Sequence, residues 1–240
     1  MNKIINKVIF EDLGLIDYKK AWDYQQELNR KLIDRKRAYE KTNNSLEGYQ
    51  GQHYLLICEH PPVFTLGKSG SESNLLLNEL GLEKEAISFY KINRGGDITY
   101  HGPGQIVVYP IFDLECFFKD VHKYVRYLEE VIIRTIKEYN VIGTREKGFT
   151  GVWLEKEGLV EKHKICAIGV HLSRWVSLHG LAFNVNTNLD HFQHIIPCGI
   201  IEKNKKVTSL SKELDKKLEI ELVKLKIKAH FASLFGFEYI

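Results

Sequence analysis

Residues 94–105 read RGGDITYHGPGQ, and IVVYPIFDL follows directly. Four glycines and a proline in twelve positions let backbone amides approach a ligand closely. A dinucleotide-binding loop needs GxGxxG between a strand and a helix. That spacing is absent, and the run that follows is β-branched and aromatic, the composition of a strand. No helix N-terminus stands behind the glycines to receive a pyrophosphate. A second stretch, PPVFTLGKSG, ends like a phosphate loop, but Pro62 occupies the place of its first glycine. The segment is therefore either a purely structural turn or a backbone-lined substrate wall running from Arg94 to Gln105.

Working outward, HYLLICEH, PVFTLG and ISFYKI read as further strands. Ala21, Trp22, Gln25, Leu28, Leu32 and Ile33 follow helical spacing, predicting a helix from Ile16 to about Ala38. EKTNNSLEGYQGQ then reads as an exposed loop. Asp120 is placed to cap a helix whose apolar face is Val121, Tyr124, Val125, Leu128, Val131, Ile132 and Ile136. TGVWLEKEGLVEKHKICAIGV holds two apolar runs around a charged, glycine-containing turn, which predicts a hairpin. LHGLAFNVNT is another strand and LEIELVKLKIKAHFASLF a closing helix. The predicted fold is α+β, a mixed and largely antiparallel sheet with helices packed on it. No Pro/Gly/Ser linker splits the chain, so residues 1–240 are expected to form a single catalytic domain.

A formal net charge of +3 is too small to argue for nucleic acid. The basic run IEKNKKVTSLSKELDKK reads as a solvated face or as a docking patch for an acidic partner. No apolar run approaches the roughly 18 residues needed to span a bilayer, and MNKIINKVIFEDLG lacks the apolar core of a secretory signal. Cys58, Cys116, Cys166 and Cys198 are spread widely with no CxxC pair. Together these features predict reduced thiols and a cytoplasmic protein.

HFQHIIPCGI sets Cys198 between a proline and a glycine. An unpaired cysteine is commonly an inert small hydrophobe, but a Pro-Cys-Gly turn also holds a thiol on tight, exposed backbone, as a nucleophile requires. His191, His194 and Cys198 also have the donor types of a metal site, yet no fourth ligand is evident and no zinc pattern matches. Lys164 is the most polar break in the strand KHKICAIGV. Such a lysine is normally a solvated charge at a sheet edge. Beside a thiol it has another use, because an ammonium and a thiolate stabilise one another.

EHPPVFTLG, RGGDITYHGPGQ, GVW, KICAIGV, HGLAFNVNTNL and PCGI occur in this order along the chain. In that order and spacing they resemble the lipoyl(octanoyl) transferases, which move an octanoyl group from acyl carrier protein to lipoyl domains. The resemblance runs from about residue 5 to residue 200 and implies the biotin/lipoate protein ligase fold. It implies that Cys198 accepts the acyl group as a thioester and that Lys164 is its proton-transfer partner. It implies a substrate wall of Arg94, Gly95, Gly96, Asp97, Ile98, Thr99, Tyr100 and His101, joined by Ala167, Ile168, Gly169, Gly180, Leu181 and Ala182. His60, in the EHP motif, is expected at the rim. The implied donor is octanoyl-acyl carrier protein. The implied acceptors are lipoyl domains of 2-oxoacid dehydrogenase E2 subunits and the glycine cleavage H protein. No cofactor, metal, nucleic acid or membrane enters, and a monomer is expected. Two neighbouring readings are an ATP-dependent lipoate or biotin ligase and octanoyl transfer between lipoyl-domain proteins. The stretch around residues 36–52 looks longer than is usual for the family, and the Lys-rich run after Ile200 matches none of its motifs.

Overall fold

The computed structural model describes residues 5–43, 45–155, 161–196 and 205–240. Strands and helices are numbered in chain order.

Alternation along two strands sets the layers. In β2 (His53–Glu59), Leu55 and Ile57 face one side of the sheet, while Tyr54, Leu56 and Cys58 face the other. In β6 (Gln105–Ile111), Ile106 and Val108 oppose Val107, Tyr109 and Ile111 in the same way. A strand that is apolar on both faces needs cover on both. On the first side lie α3 (Val121–Lys137) and α5 (Ile220–Phe235), contributing Leu128, Ile132, Ile227 and Phe231 to the larger core. On the second lies α1 (Tyr18–Asn43), contributing Ala21, Leu28 and Leu32.

Among the described residues the main sheet has nine strands. Its order is β12 (Phe237–Tyr239), β1 (Asn6–Leu15), β2, β6, β10 (Val176–Asn184), β9 (Lys162–Ser173), β8 (Phe149–Glu155) and β7 (Thr144–Glu146), with β11 (Lys205–Val207) also paired to β9. β1 runs parallel to both of its neighbours and β11 parallel to β9, and the remaining pairs are antiparallel. A second sheet of β4 (Ser88–Lys91), β3 (Val63–Leu66) and β5 (Ile98–His101) has its own small core. The short helices α2 (Glu79–Lys84) and α4 (Leu210–Leu214) complete the architecture, which is α+β with a mixed, largely antiparallel sheet.

The predicted stripe on α3 is buried at Tyr124, Leu128, Val131, Ile132 and Ile136, and Asp120 caps it by accepting from the Lys123 N–H at 2.9 Å. Val121 stays exposed at the first turn. Three expectations need correction. The first helix runs on to Asn43, past Ala38, because Thr42 and Asn43 side chains donate to the carbonyls of Ala38 and Tyr39 at 3.0 and 2.9 Å. The glycine-rich segment is not all turn, since Ile98–His101 forms β5 and pairs Val63 with His101. The basic run is not simply a solvated face: Lys205–Val207 extends the sheet beside Lys162–Lys164. Residues 156–160 of the predicted hairpin turn lie outside the described residues, but β8 and β9 pair antiparallel as expected.

Candidate active site

A cavity of about 470 Å³ is lined by strands β6, β8, β9 and β10 of the main sheet and by the segment around β5. Small-molecule sites commonly span about 300–1,000 Å³. Its wall gathers Arg94, Gly95, Gly96, Asp97, Ile98, Thr99 and His101 with Ala167, Ile168 and Gly169 of β9, Gly180, Leu181 and Ala182 of β10, and Lys164. Residues far apart in sequence thus meet around one space. Tyr100 does not join them: its ring packs on Phe64, His191 and Phe192, with centroids 5.0 to 5.7 Å away, inside the small-sheet core. The neighbouring β5 residues Thr99 and His101 face the cavity.

The wall is held by backbone approach. Gly95 N–H donates to the Val170 carbonyl at 3.0 Å. A Cβ on Gly169 would lie 2.8 Å from the Gly95 carbonyl and 3.1 Å from Arg94 Cδ, so only glycine lets the two segments meet. Arg94 is buried, and its guanidinium donates to the carbonyls of Thr65 at 2.6 Å and Gly95 at 3.0 Å. That arginine fastens the glycine segment to β3.

At the end of β9 near Val170, the cavity is bordered by buried rings. His60, expected at the rim, is fully buried behind the wall. Its Nδ1–H donates to the Ile16 carbonyl at 2.7 Å, which leaves Nε2 to accept from the Tyr109 hydroxyl at 2.7 Å. His101 Nδ1–H donates to Gln105 Oε1 at 2.8 Å, and His179 Nε2–H to Asn93 Oδ1 at 2.8 Å. Burial dominates the titration of all three, lowering His60 to about 4 and His101 and His179 to about 3. These rings are neutral hydrogen-bonding groups at neutral pH. Tyr18, stacked on His101 with centroids 5.7 Å apart, and Tyr109 are likewise held as phenols by burial.

Lys164 marks the other end. From Lys164 to Val170, β9 covers about 20 Å at about 3.3 Å per residue. Trp153 pairs with Lys164 but Val152 pairs with Cys166, so β9 carries one extra residue here. Lys164 and Ala167 are three apart and would face opposite sides of a regular strand; the bulge brings both to the cavity. Lys164 is not at a sheet edge, since β8 and β11 flank it. Its side chain is buried, with Nζ 4.9 Å from the Trp153 ring centroid. Beneath it, Gly151 has φ +124°, and a Cβ there would collide with the Cys166 carbonyl and sit 2.9 Å from Lys164 Cε. The fully buried Glu129 of α3 accepts from the Gly151 N–H at 3.1 Å while paired with Arg126 and Arg145 at 2.6 and 3.0 Å.

Cys198 lies outside the described residues. The three described cysteines are poor nucleophiles. Burial pushes the Cys58 and Cys166 thiols well up and the Cys116 thiol to about 11.

The lining also includes Tyr18, Tyr109, Thr150 and His179, none singled out from sequence. His179 directly precedes Gly180 and Thr150 precedes the GVW run, so both stood beside motifs already read. Tyr109 was legible as the partner of Val107 in the alternation of β6. Tyr18 carried no such signal, because only the docking of α1 brings it to the site.

The lipoyl protein ligase A/B catalytic domain family matches residues 17–232. The chain belongs to that family. Its relatives include the octanoyltransferase of Flavobacterium psychrophilum, 56% identical over 238 residues and 98% of each chain. The octanoyltransferase of Cytophaga hutchinsonii is 49% identical over 236 residues, covering 98% of this chain and 96% of that one. With family members this close, the chain is an acyltransferase. The bipartite lipoate protein ligase of Thermoplasma acidophilum superposes with a TM-score of 0.67 over 99% of this chain and 86% of its own, at 12% identity. That likeness shows a shared fold and nothing more. Among the described residues, no helix is long and apolar enough to cross a membrane.

Proposed function

We propose that this family member transfers an octanoyl group from octanoyl-acyl carrier protein to a lysine of a lipoyl domain, through a thioester on Cys198. Residues 1–240 act as a single catalytic domain, working in the cytoplasm as a monomer. The observation that carries the reading is the position of Lys164, a buried amine turned by a strand bulge toward a cavity lined mostly by glycine and apolar residues. A saturated chain offers no charge to grip, so an apolar slot with a few polar groups at one end suits it. The neutral histidines support this, since none of them brings a charge to the chain's resting place.

In the first half-reaction, the Lys164 amine takes the proton of the Cys198 thiol. The thiolate attacks the thioester carbonyl, the carrier's C–S bond breaks, and the departing sulfur takes the proton back from Lys164. In the second, the lipoyl-domain amine attacks the acyl carbon of the Cys198 thioester. The C–S bond to Cys198 breaks, and Lys164 relays the amine proton to the sulfur. Thioester exchange is nearly balanced in free energy and amide formation is downhill, so no nucleotide is needed. An unperturbed thiol of pKa about 8.5 is only slightly ionised at neutral pH, which gives the amine its work. The high thiol pKa values of Cys58, Cys116 and Cys166 support Cys198 as the nucleophile.

The test is intact-mass analysis after incubation with octanoylated carrier in the absence of ATP. One octanoyl addition, lost in Cys198→Ser, is the expected result. Transfer that proceeds at the normal rate in Cys198→Ser, or that requires ATP, would overturn the reading.

A further inference from the structure

His191, His194 and Cys198 lacked a fourth ligand in the sequence, and the fold brings a carboxylate to the two histidines. His191 and His194 lie on a single 3₁₀ turn, Asp190–His194, and Glu85 closes the C-terminal end of α2. One ligand atom from each of Glu85, His191 and His194 lies within 4.8 Å of the other two. We infer that these three side chains form a binding site for a divalent transition cation of the zinc class.

The donor set suits that cation: two imidazoles and a carboxylate, with water as fourth ligand, is a common tetrahedral arrangement. Zinc bonds of about 2.0–2.2 Å place neighbouring ligand atoms about 3.4 Å apart. The three groups already lie within 4.8 Å of one another, and Glu85 is exposed at the mouth of the cluster. The three groups converge without pairing with one another. Among the described residues, none of their side chains takes part in a hydrogen bond or ion pair; the imidazoles make ring contacts only, His191 with Tyr100 at 5.0 Å and with His194 at 6.4 Å.

The backbone beneath them is fixed. Between the two histidines Phe192 is buried in the small-sheet core, where its ring packs edge-on against Tyr100. The turn is tied to the segment before α2 by Leu76 N–H to the His194 carbonyl at 2.9 Å and Ile196 N–H to the Asn74 carbonyl at 2.8 Å. At Glu85, the N–H donates to the Gly81 carbonyl at 3.1 Å. A cation held between them would link α2 to the turn just before Cys198. Its binding does not depend on the acyl-transfer reading.

Zinc alone is the probe, titrated into the full-length protein in competition with a chromogenic chelator, with thermal unfolding measured alongside. One equivalent should bind, and zinc should raise the unfolding temperature of the wild type by preferring the folded state. His191→Asn and Glu85→Gln should each weaken binding by at least the roughly ten-fold that losing even an outer partner costs a metal site. Both replace partly or fully exposed side chains, and their unfolding temperatures without zinc show whether they fold. Cys198→Ser should bind as the wild type does. The inference is overturned if the wild type fails to compete with the chelator. It is equally overturned if folded His191→Asn binds zinc undiminished, or if Cys198→Ser abolishes binding and so assigns the cation to the thiol.

Discussion

The two ends of the cavity are built from the same materials and behave differently. Near Val170, His60, His101, His179, Tyr18 and Tyr109 are buried, the histidines hydrogen-bonded, and all five held in their neutral forms. Near Lys164 a single amine stands over a bulged strand, flanked by Trp153 and Gly151. Burial alone does not make a group reactive. At the histidine end each histidine donates a ring N–H to an oxygen partner that fixes its tautomer, and the rings pack as neutral groups. At the lysine end the local backbone is irregular, and that irregularity aims a titratable group at the cavity.

The sharpest way to break this contrast is to remove the amine. Lys164→Ala should lower octanoyl transfer by about 10²–10⁴-fold, the usual contribution of a positioned acid–base group, with folding intact by circular dichroism. A loss below ten-fold would make Lys164 another piece of wall. Gly151→Ala should come next. The added methyl collides with the Cys166 carbonyl as well as Lys164 Cε, so the bulge must shift and carry the amine with it, and a displacement of about 1 Å can cost about 10²-fold in rate. Steady-state kinetics should show the loss in kcat with KM little changed.

The histidine end predicts the opposite pattern. Tyr109→Phe removes the hydroxyl donor to His60 Nε2 and leaves it only the weak Cys58 thiol at 3.4 Å; losing such a buried hydrogen bond costs about 0.5–1.5 kcal/mol. Urea unfolding should register that cost, while kcat stays close to wild type. A collapse of kcat with unchanged stability would move Tyr109 into the chemistry.

The histidine end also predicts a pH dependence of stability rather than of rate. His60, His101 and His179 titrate at about 4, 3 and 3 in the fold against about 6.5 in the unfolded chain. Below pH about 6.5 the unfolded chain takes up protons that the fold refuses, so stability is full above that pH and declines as pH falls toward about 4 to 3. The urea midpoint should follow this course, and His179→Gln should decline less steeply.

Much of this protein was fixed by local chemistry. Period-two alternation in 54–58 and 105–111, the Asp120 cap and the stripe along 124–136 determine strands and a helix wherever they occur, because they depend on near neighbours and on which atoms avoid water. The motif runs likewise named most of the residues that line the cavity. Tertiary structure decided the rest. The extra residue opposite Trp153 turns Lys164 to the same side as Ala167, and such a bulge is set by pairing between strands that sequence alone does not register. The docking of α1 and of the small sheet buries His60, turns Tyr100 from the cavity and brings Glu85 to His191 and His194. Those meetings join residues far apart along the chain, and only packing chooses among the partners each could have had.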